Sequence, residues 1–471
     1  MTDSFATPLP NGRLADLVRH SPVAVLGFGV SNRPLVDLLL RLDARVHIYD
    51  QKLPDALGEA AADAIARGAV FYSDLDAMPL TSMRVIFRSP GIRPFLPALK
   101  RARAAGVEVS SEMAWFLEIT PATVIAVTGS DGKTTTTTLT AKMLEAGGKR
   151  VFLGGNLGTP LLDRATEMTA DDYAVVELSS FQLYDLPASV VPHRAALTNL
   201  SPNHLDWHPD MEDYVAAKTH IFDGDRCSLL VTNAKNAYTA RLAREQATKR
   251  RVVRFSSDEG ADADVCLRDG MVTCHGESIV RACDIRLPGA HNLENMMTAF
   301  ALCHGLVSVE AMREVAVSFG GVEHRLQHVR TLGGVDYYNS SIDSSPSRTA
   351  AALSALNQPI VVICGGYDKH IPFAPLAEAL CKRARAVVLT GATAPAIRRA
   401  LDDCPTFDPT RLTVVHKPDF ADAVRAASHI ARAGEAVLLS PACASFDAFP
   451  NFAVRGETFC RLVMALDDEK Q

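Results

Sequence analysis

Between Thr123 and Thr138 the chain reads Thr-Val-Ile-Ala-Val-Thr-Gly-Ser-Asp-Gly-Lys-Thr-Thr-Thr-Thr-Thr. A β-branched apolar run gives way to a glycine-bracketed turn, and Lys133-Thr134 then opens a helix-compatible stretch. This grammar constrains the fold: a strand must end where the N–H groups of Gly129 to Gly132 turn toward one point, and the next helix adds its positive end. Such a cradle suits phosphate. Lys133 is placed to reach β- and γ-phosphates, and the Thr134 hydroxyl to hold Mg²⁺. A full phosphate-loop pattern carries a glycine five positions before its second glycine. That position is Val127, so the loop is a shortened variant. Thr134 is the expected ligand, while Thr136 to Thr138 are expected in helix surface and packing.

At 471 residues the chain exceeds one ordinary core, and about three domains are expected. Its hydrophobic fraction of 48% and charged fraction of 22% are those of a soluble globular protein. A net charge of −6 without a long basic run argues against nucleic-acid binding. The opening Met-Thr-Asp-Ser lacks the basic-then-apolar order of a signal peptide. No stretch approaches the roughly 18 uninterrupted apolar residues of a membrane span, so a cytoplasmic location is expected. The ten cysteines run from Cys227 to Cys460 with no C-x-x-C pair. That spacing argues against zinc sites and disulfide frameworks and for buried thiols in a reducing cytosol. Cys364 and Cys443 lie beside candidate site residues, where packing is the expected role.

Three blocks alternate strands with helices. In the first, a short strand at Val23–Leu26 ends in Gly27-Phe-Gly29-Val-Ser-Asn32, a leucine-rich helix follows, and a second strand runs Val46–Asp50. This is βαβ grammar with a glycine turn at its first junction. The dinucleotide fingerprint places glycine where this chain has Asn32, which points to another nucleotide ligand. A further strand, Arg84–Phe87, ends in Ser89-Pro90-Gly91, and the block closes near Ser111. The second block carries the phosphate loop on strands Thr123–Thr128, Tyr173–Leu178, Arg194–Thr198 and Leu229–Thr232, as in a mostly parallel sheet covered on both faces. The third begins near Val322, with strands Ile360–Cys364, Ala386–Leu389 and Ala436–Leu439. The expected fold is α/β in three domains, 1–111, 112–321 and 322–471.

Polar clusters fall where strands of the second block end, the ligand-binding edge of open α/β sheets. Glu177 follows Ala-Val-Val; a carboxylate ending a buried strand needs a partner or a cation, and beside a phosphate loop it reads as an Mg²⁺ ligand. Asn199-Leu-Ser-Pro-Asn-His204-Leu-Asp206-Trp follows the next strand and puts His204 at the same edge. Lys218, in Tyr-Val-Ala-Ala-Lys-Thr-His, reads on composition as an exposed helix lysine.

Together these segments resemble the Mur ligases: Gly-Ser-Asp-Gly-Lys-Thr, Gly-Asn156-Leu-Gly, Glu177-Leu-Ser-Ser-Phe-Gln, Asn-His204-Leu-Asp, Ala-Ala-Lys218 and Pro-Gly-Ala-His-Asn292-Leu-Glu-Asn295. The C-terminal Leu-Ser440-Pro-Ala-Cys-Ala-Ser445-Phe-Asp-Ala-Phe-Pro-Asn-Phe452 resembles the branch that adds D-glutamate to UDP-N-acetylmuramoyl-L-alanine in peptidoglycan synthesis, hence in cell-wall biogenesis and division. The resemblance spans about Val23 to the end. It implies a Rossmann-like uridine-nucleotide domain, a phosphate-loop-type ATPase domain and a Rossmann-like amino-acid domain; a monomer is expected. It also implies an ATP-dependent route through an acyl phosphate.

Carried over by position, the resemblance implies that Gly129, Ser130, Asp131, Gly132, Lys133, Thr134 and Thr135 cradle ATP, with Asn292, Asn295 and Arg325 on the nucleotide. Thr134 and Glu177 hold one Mg²⁺. His204 and Lys218 serve a second, with Lys218 carbamylated by CO₂ to an anionic oxygen ligand, which reverses its reading as an exposed lysine. Lys133, His204 and Lys218 form the catalytic group. Val30, Ser31 and Asp50 hold uridine, and Ser89, Gly91, Asn156 and His204 follow the rest of that substrate. Glutamate lies among Lys369, Ser445 and Phe452. One departure stands out: where many relatives read Asn-Asp-Ser-Lys-Ala-Thr, this chain reads Asn339-Ser-Ser-Ile-Asp-Ser344. Ser340 and Ile342 replace an aspartate and a lysine, with Asp343 or Arg348 as compensating charges. Three further readings stay open: a Mur-type ligase adding L-glutamate, a folylpolyglutamate-type ligase, or a nucleotide-binding protein without catalysis.

Overall fold

The computed structural model describes residues 13–29, 31–156, 160–204, 207–287, 289–368 and 371–466. Two compact units emerge, Met1–Phe319 and Gly320–Gln471. The first contains two sheets. Its N-terminal sheet is built from β1 (Pro22–Leu26), β2 (Arg45–Tyr49), β3 (Val70–Tyr72), β4 (Val85–Arg88) and β5 (Glu108–Ser110). All pairs are parallel, in the order β3-β2-β1-β4-β5. Because β1 has β2 on one side and β4 on the other, the strand order reverses at the turn after β1, where such sheets open a ligand crevice.

The second sheet has nine strands: β6 (Thr123–Thr128), β7 (Val151–Gly155), β8 (Tyr173–Glu177), β9 (Arg194–Leu197), β10 (Leu229–Asn233), β11 (Arg251–Glu259), β12 (Val265–Arg268), β13 (Met271–Cys274) and β14 (Glu277–Arg281). The order is β14-β13-β12-β11-β10-β9-β6-β8-β7. Pairs from β7 to β12 are parallel, and β12–β13–β14 is an antiparallel edge. β6 lies between β9 and β8, so the phosphate-loop turn also sits at a reversal of strand order. β7, β11 and the antiparallel edge fall outside the strands expected for this block: Gly154 and Gly155 end the short β7, two-residue turns join the short β12–β14, and β11 mixes arginine, serine and aspartate into its apolar run.

The second unit holds β15 (Gln327–Leu332), β16 (Val335–Asn339), β17 (Ile360–Cys364), β18 (Ala384–Leu389), β19 (Thr413–His416) and β20 (Ala436–Leu439), in the order β15-β16-β20-β17-β18-β19. Only β15 is antiparallel.

The two sheets of the first unit share one apolar core. Val25 and Phe87 of the N-terminal sheet, Trp115 and Leu117 of helix Glu112–Ile119, and Val124 and Val176 of the second sheet belong to the same buried cluster. A polar staple reinforces it. Arg88, 2% exposed at the end of β4, meets Asp185 at 2.6 Å and donates to the Phe181 carbonyl at 3.1 Å, just past β8. Arg103 reaches the same carboxylate at 2.9 Å. Removing one partner of a buried pair strands the other charge, which typically costs about 3–5 kcal/mol. Asp185→Ala is therefore expected to lower the unfolding free energy in urea by about that amount. A loss within about 0.5 kcal/mol, the usual range for surface substitutions, would contradict the staple.

Candidate active site

The turn after β6 is held open by backbone that only glycine accommodates. Gly129 has φ 149° and a Cβ there would overlap Thr198 Oγ1; Gly132 has φ 78° and its Cβ would overlap Asn295 Oδ1. Gly132 precedes helix Lys133–Ala146, whose first N–H groups have no partner within the helix's own ladder. Segment 198–201, past β9, fastens the turn from outside. Ser130 N–H donates to the Asn199 carbonyl at 2.9 Å, and Asp131 N–H to Asn199 Oδ1 at 3.0 Å. Thr198 Oγ1 donates to the Asp131 carbonyl at 2.6 Å. Lys133 Nζ donates back to the Ser130 carbonyl at 2.8 Å, which holds its cation beside the cradle. In the threonine run, Thr136 and Thr137 are fully buried, and Thr137 and Thr138 donate to the carbonyls of Lys133 and Thr134 at 2.8 and 2.9 Å. They pack the helix, as expected.

Glu177 ends β8 at 2% exposure. Thr134 Oγ1 donates to its Oε2 at 2.7 Å and Asn156 Nδ2 to its Oε1 at 2.8 Å. A buried carboxylate and a hydroxyl beside a phosphate cradle are hard oxygen donors of the type Mg²⁺ takes, so these side chains fit that ion. On the other side of the helix start, Thr136 Oγ1 donates to Asn295 Oδ1 at 3.3 Å, and Asn295 Nδ2 to Asn292 Oδ1 at 3.2 Å. The structure thus brings Gly129 to Thr135, Asn156, Glu177, Asn292 and Asn295 to one edge of the second sheet.

Lys218 corrects the composition-based reading of an exposed helix lysine. It lies on helix Met211–Thr219 at 2% exposure, with Nζ 4.8 Å from the Tyr214 ring centre, and donates to the Gly129 carbonyl at 2.9 Å and to Thr128 Oγ1 at 3.1 Å. Burial, together with the Lys133 cation, holds its pKa well below the ordinary lysine value, against the pull of Glu177 and Asp131. Helical spacing could not locate this residue, because Lys218 points at a loop about 90 residues earlier, not along its own helix face.

His204 is exposed, with φ 55°, and its ring stands edge-on to Phe181 at 4.8 Å. Behind it runs a buried chain that sequence reading missed. His208, 1% exposed, places Nε2 2.9 Å from Ser180 Oγ and Nδ1 2.6 Å from Asp213 Oδ2, while its N–H donates to the His204 carbonyl at 2.9 Å. His208 therefore ties the His204 turn to the segment after β8 and to the Lys218 helix. Tyr214, whose OH lies 3.0 Å from Ser130 Oγ, links that helix to the phosphate turn.

In the N-terminal sheet, Ser31, Asp50, Ser89 and Gly91 follow strands around the β1 turn. Asp50 accepts the Phe28 N–H at 2.8 Å and so clamps that turn from the end of β2. Asn32, where a dinucleotide site has glycine, is buried and donates through Nδ2 to the Gly27 carbonyl at 2.8 Å. Its side chain closes the turn internally, which is the physical reason for the departure. Val30 and Lys369 lie outside the described residues.

In the second unit, Arg325 is exposed, Ser445 buried and Phe452 exposed at the start of helix Phe452–Met464. Arg455, one turn along, is buried and organises them. It donates to Ser341 Oγ at 3.0 Å and to the carbonyls of Ala444 and Cys443 at 3.0 and 3.1 Å, and burial pushes its pKa down to about 10. The Ser341 hydroxyl in turn donates to the Phe452 carbonyl at 2.7 Å. Asp343 is buried, accepts from Ser440 Oγ at 2.8 Å, and lies within the electrostatic reach of Arg325 and Arg348. The Cys443 thiol lies 3.1 Å from Thr393 Oγ1, and the fully buried Cys364 donates to the Ser440 carbonyl at 3.3 Å.

Comparison with known proteins covers all three sheets. Residues 21–111 match the Mur ligase MurD-like N-terminal domain, 127–303 the Mur ligase middle domain, and 324–443 the Mur ligase glutamate ligase domain. Among curated relatives, UDP-N-acetylmuramoylalanine–D-glutamate ligase of Clostridium novyi is 43% identical over 450 residues, 95% of this chain and 97% of that protein. The protein of the same name from Clostridium kluyveri is 41% identical over 453 residues, again 95% and 97%. Among solved structures, UDP-N-acetylmuramate-alanine ligase MurC of Thermotoga maritima superposes with TM-score 0.54 at 17% identity, over 95% of this chain and all of that one. MurF ligase of Thermotoga maritima, solved in complex with ADP, gives 0.51 at 16% identity over 95% of each. The full-length relationship at more than 40% identity settles the family: this chain belongs to the Mur ligases.

Proposed function

We propose that this chain is an ATP-dependent, ADP-forming ligase that joins D-glutamate to UDP-N-acetylmuramoyl-L-alanine, in the cytoplasm and as a monomer, within peptidoglycan precursor synthesis. The observation that carries this reading is the convergence of Lys133, Thr134, Glu177 and buried Lys218 on one phosphate-binding turn, in a chain 43% identical over nearly its full length to a ligase of that name. Segments 1–111, 112–321 and 322–471 divide the work as uridine-nucleotide, ATP and amino-acid domains.

The reaction needs two bond exchanges. A carboxylate oxygen of the alanyl substrate attacks the γ-phosphorus of ATP, and the bond to the ADP oxygen breaks, giving an acyl phosphate. The glutamate amine then attacks the acyl carbon, the carbon–oxygen bond to phosphate breaks, and the amine loses a proton as the amide forms. Both steps gather negative charge, so the protein's task is orientation and charge stabilisation. The N–H groups that open the phosphate helix and Lys133 bind the phosphates, since those of Ser130 and Asp131 are taken by Asn199; Ser31, Asp50, Ser89, Gly91 and Asn156 orient the uridine substrate. Thr134 and Glu177 are the residues for one Mg²⁺, with His204 and a carbamylated Lys218 for a second. When bound, these ions supply neutralisation of phosphate charge. A depressed lysine pKa favours that modification, because only the neutral amine adds to CO₂, releasing one proton. Ser445 and Phe452, with Asp343 held against Ser440, form the glutamate side.

Ser340 and Ile342 favour a second reading, addition of L-glutamate, and one assay separates the two. Phosphate release is expected to require both UDP-N-acetylmuramoyl-L-alanine and D-glutamate, and to fall about 10²-fold or more in Lys133→Ala. Equal turnover with L-glutamate contradicts the stereochemical assignment, and turnover on tetrahydrofolate contradicts the substrate class.

Lys218 gives a separate prediction. Its folded pKa lies below its unfolded value, so between the two the unfolded chain binds the extra proton. Stability must therefore rise with pH across the window ending at the ordinary lysine value, and the gain is lost as pH falls through the folded pKa. Lys218→Met is expected to flatten that slope in unfolding experiments; an unchanged slope contradicts burial of an uncharged amine. For the carbamate itself, Lys218→Ala should abolish turnover and short carboxylic acids should restore part of it. Full wild-type activity in CO₂-free buffer, without rescue of the variant, would count against the modification.

A further inference from the structure

Far along the second sheet from the phosphate turn, the fold assembles donors of a different chemistry. Cys274 ends β13, and His275 follows in the two-residue turn to β14. His275 and Gly276 both take positive φ, 50° and 84°, the pattern of a tight type I′ hairpin. His304 caps the C-terminal end of helix Ala290–Cys303. The Cys274 thiol and one ring nitrogen each of His275 and His304 all lie within 4.8 Å of one another, and the two imidazole centres are 4.9 Å apart. Glu277, first residue of β14, places Oε2 3.7 Å from His304 Nε2. The spacing of the cysteines does not reveal this group, because its second histidine arrives from a helix about thirty residues later.

We propose that Cys274, His275 and His304, with water as the fourth ligand, form a site for a late first-row dication, zinc above all.

One sulfur and two imidazoles, with a water in the fourth position, suit tetrahedral zinc. They are a poor match for Mg²⁺, which takes oxygen, so the site differs in class from the one at Glu177. The position is also favourable: a helix C-terminus carries partial negative charge. A cavity of about 180 Å³, lined in part by Ser228, Arg251 and His304, adjoins the histidine. It gives solvent, and hence a hydrated ion, a way in. Three features oppose loading: burial pushes the Cys274 thiol up to about 12, so the ion must displace its proton; Arg194 lines the same cavity; and a second arginine sits on one ligand. Arg251 Nη2 lies 3.0 Å from His275 Nε2, a competing cation on one ligand. A dication here would tie the β13–β14 hairpin to the helix whose opposite end carries Asn292 and Asn295.

The test uses the full-length protein with Co²⁺ as the spectroscopic probe and Zn²⁺ as competitor. Wild type is expected to bind one Co²⁺ with a thiolate-to-cobalt charge-transfer band that Zn²⁺ bleaches and excess Mg²⁺ does not. Cys274→Ser should lose the band, and His304→Gln, at a partly exposed position, should weaken binding by about tenfold or more. Arg251→Met should bind several-fold more tightly, which a merely structural arginine would not produce. Absence of the band, its survival in Cys274→Ser, bleaching by Mg²⁺, or weaker binding in Arg251→Met each overturns the proposal.

Discussion

The first unit depends on how one buried carboxylate is satisfied. Glu177 ends a strand inside an otherwise apolar sheet, where an ionised group without partners is strongly disfavoured. Its two oxygens take one hydrogen bond each, from Thr134 at the start of the phosphate helix and from Asn156 past β7. Those bonds fix the register of three neighbouring strand ends at once, because β8 lies between β6 and β7. The glycine turn then has one way to close: Gly129 beneath Thr198 and Gly132 beneath Asn295. Satisfying the carboxylate and shaping a phosphate cradle are thus the same piece of packing.

A second layer of polar contacts surrounds that centre without entering it. His208, bridging Ser180 and Asp213, ties the segment after β8 to the helix that carries Lys218. The Arg88–Asp185–Arg103 staple ties the segment after β8 to the N-terminal sheet. Lys218, forced into the interior among the phosphate turn and Tyr214, loses solvation, and its pKa falls well below the ordinary lysine value. An amine in that state is chemically different from a surface lysine, although nothing in its local sequence, Tyr-Val-Ala-Ala-Lys-Thr-His, sets it apart.

The parts legible in the sequence were those carried by local grammar. Strand-to-glycine transitions marked β1 and β6, and the α/β alternation gave the class of fold. Glu177 could be read as functional because a charge that ends a buried strand must meet a partner or a cation there. Contacts between distant segments were not legible. Nothing near Lys218 announces its approach to Gly129, and nothing near Asn32 announces that its amide closes the preceding turn. Asp343 shows the same limit: its displacement from position 340 is visible in sequence, but its partnership with Ser440 depends on β20 lying beside β16. The antiparallel edge β12–β14 was hidden because strands of four or five residues carry too little periodicity to separate from loops.

The central claim is that the cradle at Gly129–Lys133 serves the transfer of phosphate to a carboxylate, not simple hydrolysis of a nucleotide. Isotopically labelled oxygen in the alanyl carboxylate of UDP-N-acetylmuramoyl-L-alanine tests it most directly, with the released phosphate read by phosphorus NMR. One labelled oxygen per phosphate, appearing only in turnovers that form the amide, is the predicted result. Phosphate released without label, at the rate of amide formation, would contradict the acyl-phosphate route and with it this account of the site.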